Sequence, residues 1–124
     1  MGFELFFCQE SYRKGRWEEF LRSTWIRPED VCYYRRYVSV IKLATRTVRN
    51  PAQIVKAYAT GHFDGNLLEL MDPDASDAFG EWGIDNRRFP ADWATSGIGA
   101  ACAQNCKHCG RCAEILAMVM KRRG

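Results

Sequence analysis

Histidine is scarce in this chain, two in 124 residues, and the two do not form a metallopeptidase pair. No Ser/His/Asp set stands out either, so a self-contained hydrolase centre is not legible. No apolar run approaches the ~20 residues that span a bilayer. The n-region, h-region and cleavage site of a secretory signal are also missing. These absences lead to the expectation of a soluble cytoplasmic chain with reduced thiols. Charge of one sign is lacking as well: the formal net charge is +3 and the pI about 8.6, so nucleic acid is compatible with the balance but not indicated by it. Basic residues gather between Arg13 and Arg49 and again at Lys121-Arg122-Arg123, while Glu69 to Asp92 is acidic. The plain reading of such runs is solvated faces.

Against that background six cysteines stand out. Four of them, Cys102, Cys106, Cys109 and Cys112, follow one another at spacings x3, x2 and x2. Sulfurs this close converge on one soft cation once the backbone turns, and Gly110 offers a residue that takes positive φ cheaply. Four thiolates complete the first shell of a [4Fe–4S] cluster or of Zn²⁺. The x2, x2 rhythm is that of bacterial ferredoxins, although Ala113 stands where they carry proline. Zinc knuckles normally come as two pairs a dozen or more residues apart, which favours the cluster. The first three cysteines also match radical SAM spacing, but that chemistry needs a barrel after the cysteines and only twelve residues follow Cys112.

The length and 47% hydrophobic content suit one compact domain. Phe3 to Cys8 reads as a short strand. Trp17, Phe20 and Leu21 fall on one helical face. Pro28, with Glu29 and Asp30 behind it, opens a helix to about Arg36. Tyr37 to Leu43 is the strongest strand signal, β-branched and dense enough to be buried on both faces. Asn50-Pro51-Ala52-Gln53 starts a helix as N-cap, first-turn proline and box partner, and Gly61 closes it. His62 just beyond reads as a cap or surface residue. Helix, strand, helix in this order indicates an α/β fold with a parallel sheet or barrel. Leu67 to Met71 is a short apolar helix, residues 73–101 a surface linker with short turns, and Ala113 to Arg123 a helix whose basic end faces its own negative pole. Cys112 then lies at a helix N-terminus, where a thiolate is stabilised. Lys42 and Arg46, at the end of the expected strand, stand where α/β barrels hold working groups.

Several of these residues carry a resemblance. Pro28-Glu29-Asp30-Val31-Cys32, the stretch Lys42-Leu43-Ala44-Thr45-Arg46 and the Asn50-Pro51 helix with Ala57-Tyr58 together resemble the collagenase-like peptidase family, the unassigned peptidase family thirty-two. Its relatives include oxygen-independent ubiquinone and RNA hydroxylation proteins. The family pattern is close to Asn-Pro-Lys-Asp-Leu-Cys, a strand ending Lys-Ile-Glu-Gly-Arg, and a helix ending in Ala-Tyr. This chain departs from it with Ala44 for Glu and Thr45 for Gly. The match covers about Trp25 to Tyr58, and the tail with Ile84-Asp85-Asn86 and the cysteine ladder resembles a C-terminal extension of one branch.

The resemblance implies that residues 1–72 are the rear of a (β/α) barrel-like domain with one or two strands, and that residues 102–124 form a cysteine-rich tail. It implies a [4Fe–4S] cluster with ligands at the positions of Cys32 and Cys8, a second, partial site completed by a protein partner that supplies the front of the barrel. The leading expectation is an iron–sulfur protein acting with that partner in redox or hydroxylation chemistry, with Lys42 and Arg46 facing an anionic substrate group. The alternatives are a small zinc-stapled interaction module and, third, a peptidase-related protein.

Overall fold

A computed structural model describes residues 7–23, 25–96 and 109–123. Helix α1 spans Phe7–Arg13 and α2 Glu18–Arg22, joined through Gly15 at φ 84°. Helices this short are marginal alone, so packing must hold them. Phe20 and Leu21 are buried as their spacing predicts. Tyr12 meets Phe79 with ring centroids 5.1 Å apart, Trp17 stacks on Phe79 at 5.9 Å, and Phe20 stacks on Trp25 at 5.0 Å. Trp25 continues to Trp93 at 5.7 Å, with Phe89 edge-on to both. One line of rings therefore ties residue 12 to residue 93, each buried ring being worth about 1.5–3 kcal/mol of transfer free energy.

Helix α3, Pro51–Thr60, forms as its local chemistry dictates. The Asn50 side chain accepts from the Gln53 backbone N–H at 3.2 Å, Pro51 occupies the first turn, and Gly61 ends the helix at φ 70°. Ile54 and Ala57 turn inward. Further on, β1 (Trp82–Ile84) pairs antiparallel with β2 (Met120–Arg122), Gly83 opposite Lys121. Between them come α4, Trp93–Ser96, and α5, Arg111–Val119, which buries Cys112, Ile115 and Val119.

Four expectations need correction. Among the described residues there is no barrel and no parallel strand pair; the fold mixes short helices with one two-stranded sheet. Tyr37 to Leu43 is not a strand buried on both faces. It runs irregularly, with Tyr37 72% and Val40 82% exposed, because β-propensity expresses how a residue packs beside a neighbouring strand and no described strand lies beside it. The stretch expected to be a surface linker sends Ala75, Ala78, Phe79, Ile84, Phe89 and Trp93 into the core. Finally, the C-terminal helix stops at Val119 and Lys121 and Arg122 lie in β2: the Val119 carbonyl accepts from Asp85 N at 2.7 Å, and pairing with β1 replaces the next helical turn.

Other expectations are met in part. Pro28 does open a helix, but a 3₁₀ one ending at Tyr33. The strand expected at Phe3 to Cys8 lies largely outside the described residues, and Phe7 and Cys8 belong to α1.

Candidate functional site

A cavity of about 680 Å³ opens between α2, α3 and the segment 41–44. Its wall is mostly apolar, from Phe20, Trp25, Ile41, Leu43, Ile54 and Leu70. Polar groups are few: Lys42, Tyr58, Asp72, Gln9 and Ser23 also line it. A concave apolar space of this size with a small number of polar groups is the usual form of a small-ligand or side-chain pocket. Asp72 is spoken for, since its carboxylate accepts from Arg46 N at 3.0 Å, from Thr47 N at 3.2 Å and from the Thr47 hydroxyl. It clamps the chain that leads away from Lys42. Of the two basic residues expected to work together, Lys42 lines the cavity while Arg46 is exposed and does not.

Tyr58 joins the cavity to a buried polar node. Its hydroxyl donates to the Ile26 carbonyl at 2.6 Å. Burial, and then the nearby carboxylates of Glu29 and Asp30, push its pKa from 10.0 up to about 12, because the phenolate would sit desolvated beside negative charge. A phenol whose folded pKa is raised stabilises the fold fully below pH 10 and loses that contribution as pH climbs to 12. The expected outcome is an unfolding free energy that falls by about 2–3 kcal/mol more over that interval in the natural chain than in Tyr58→Phe. Parallel urea titrations of the two at pH 9 and pH 12 measure it.

The node itself begins at Arg27, whose Nε and Nη2 bond both Asp30 oxygens at 2.8 and 3.2 Å. Its Nη1 donates to the Asn86 carbonyl at 2.9 Å, and the guanidinium lies 4.8 Å from the Phe89 ring centre. The Asn86 amide nitrogen in turn donates to both Glu29 oxygens, at 2.9 and 3.0 Å, and to the Phe63 carbonyl at 2.8 Å. Three oxygens around one end of the amide identify that end as nitrogen. Glu29 also accepts from Phe63 N. His62 stands at the rim, 3.6 Å from Glu29 and 3.1 Å from Asp64. The resemblance touches Asn86 through Ile84-Asp85-Asn86, but the sequence signalled neither its bonds to Glu29 nor the Glu29–His62–Asp64 grouping, since the residues are separated by up to 57 positions.

A second cleft of about 330 Å³ lies between residues 64–66 and 121–123. Its lining sets two carboxylates, Asp64 and Asp85, against four basic residues, Arg87, Lys121, Arg122 and Arg123, an excess of positive charge even though Arg122 is also paired with Glu81.

Three cysteine side chains, Cys32, Cys109 and Cys112, fall among the described residues. Cys32 is exposed, its thiol 3.5 Å from the Glu29 carbonyl oxygen. Cys109 is exposed and Cys112 buried, on either side of Gly110 at φ 64°, the positive φ expected from the sequence. Cys112 is the second residue of α5, as its placement at a helix N-terminus requires. Cys102, Cys106 and the side chain of Cys8 lie outside the described residues. Among the described residues no three His, Cys, Asp or Glu side chains converge to hold a metal ion, and no helix is long and apolar enough to cross a membrane.

No protein-family model matches the chain, and no solved structure matches it. A comparison with curated proteins does find a relative, an uncharacterized protease of the archaeon Methanocaldococcus jannaschii, 32% identical over 107 residues. The alignment takes in 84% of this chain but 31% of the archaeal protein. Over most of its length, then, this chain is similar to rather less than a third of a longer protein that bears the name of a protease.

Proposed function

We propose that this chain is the peptide-binding part of a peptidase-related protein. The cavity of about 680 Å³ carries the reading: it takes an apolar peptide side chain, and Lys42 on its lining meets a carboxylate of the same peptide. The name of the archaeal relative supports it. The groups that cut a peptide bond are supplied by polypeptide beyond this chain, in keeping with the share of the relative that stays unmatched. N-acetylated tetrapeptides with a free C-terminal carboxylate and a terminal Phe or Asp test the reading, with Trp25 in the cavity wall as fluorescent reporter. The Phe peptide is expected to perturb Trp25 saturably, and Lys42→Ala to weaken its binding roughly tenfold, the loss of one charge-assisted hydrogen bond. Equal responses to the two peptides would remove the support.

A second reading is favoured by the turn at Gly110 and by Cys112 in the first turn of α5, where the helix N-terminus stabilises a thiolate. Cys109 and Cys112 suit half of a ligand set, and Cys102 and Cys106 would supply the other half of a [4Fe–4S] site or, alternatively, a zinc site. A bound cluster would supply one-electron transfer, which suits the redox or hydroxylation chemistry of the ubiquinone- and RNA-hydroxylation relatives. Anaerobically purified protein is expected to hold about four iron and four sulfide per chain, and Cys106→Ala to remove them. Retention in Cys106→Ala with loss in Cys32→Ala would move the site to Cys8 and Cys32.

A further inference from the structure

The segment after Tyr37 has what a strand needs except a neighbour. Val38, Val40 and Ile41 are β-branched and apolar, yet 45%, 82% and 41% exposed. Among the described residues, no backbone N–H or C=O of residues 39–45 pairs with another backbone group. Of residues 38–43 only Leu43 is partly covered, packed against the core. A run of peptide groups with no backbone partner, beside exposed β-branched side chains, is a template for pairing with another chain. Meanwhile more than two thirds of the archaeal relative has no counterpart in this chain.

We propose that residues 38–43 add as a strand to the exposed edge of a β-sheet carried by polypeptide outside this chain, of the kind that makes up the unmatched part of the archaeal protein. Val38 and Val40, two residues apart and so on one side of the added strand, continue an apolar face of the receiving sheet. Acidic residues flank it, opposite Arg35 and Arg36, which are exposed at the start of the segment; Arg36 lies over the Tyr37 ring at 5.1 Å. Only the identity of the partner rests on the peptidase-related reading. The pairing itself rests on exposure and on unpaired backbone.

The test mixes the full chain with the separately produced, non-aligning part of the Methanocaldococcus jannaschii protein and follows amide hydrogen exchange. A one-to-one complex is expected, in which alternate amides between 39 and 43 exchange roughly 100-fold more slowly. Val40→Pro, which removes a donor at an exposed position, is expected to abolish the complex while leaving the urea unfolding curve of the chain alone unchanged. Val40→Thr is expected to retain it. Absence of a complex, or a complex that leaves exchange at 39–43 unaltered, overturns the proposal. So does self-association of the chain alone with those amides protected, which makes the occupant a second copy. The peptide titration of the cavity reads none of these outcomes, so the two can fail separately.

Discussion

Arg27→Ala is expected to lower the unfolding free energy by about 3–5 kcal/mol, because it leaves Asp30 buried and uncompensated. Arg27 and Asp30 are 6% and 4% exposed, and the pair holds two charge-assisted bonds. The substitution also orphans the Asn86 carbonyl and takes the cation from the face of Phe89. Single domains are stable by about 5–15 kcal/mol, so the variant stands near the edge of folding. Urea titration followed by Trp fluorescence measures the loss. A paired replacement, Arg27→Met with Asp30→Leu, removes both charges together and is expected to cost far less, since breaking a buried pair costs more than replacing it. Equal losses in the single and the paired variants would mean that packing on Phe89, and not charge, is what Arg27 contributes.

Phe79→Ala carries the second large effect, about 3–5 kcal/mol for an emptied aromatic site. Phe79 is 2% exposed and touches the rings of Tyr12, Trp17 and Phe20, so its removal opens a void against three neighbours that cannot all collapse into it. Were Phe79 part of a surface linker, as the sequence led one to expect, the change would fall within about 0.5 kcal/mol. The shift of the urea midpoint at constant slope separates these values cleanly.

What the sequence made legible was local. The Asn50 cap, Pro51 in the first turn and Gly61 at the left-handed stop are decided by residues within a few positions of each other, and the helix follows. Gly110 before the helix that contains Cys112 is of the same kind. What was hidden was everything that depends on a distant partner. Phe79 and Ile84 stand among small and acidic residues, so no periodicity marks them, yet rings from α1 and α2 and the strand at Met120–Arg122 bury them. Conversely, Tyr37 to Leu43 has a strong strand signal and no described strand to pair with. Of the site, Lys42 was found on a strand-end argument, although no strand precedes it; Arg46 does not join it. The node of Arg27, Glu29, Phe63 and Asn86 draws its members from three places in the chain, and nothing local to any one of them marks the contact.

Methyl-resolved NMR of the chain, titrated with an N-acetylated tetrapeptide ending in Phe, tests most directly whether the apolar cavity is where this protein binds. Shift changes are expected to concentrate on Ile41, Leu43, Ile54 and Leu70, which line it, and to leave Ile115 and Val119, buried on α5, where they were. Changes spread evenly over both groups, or no change at millimolar peptide, would contradict the account.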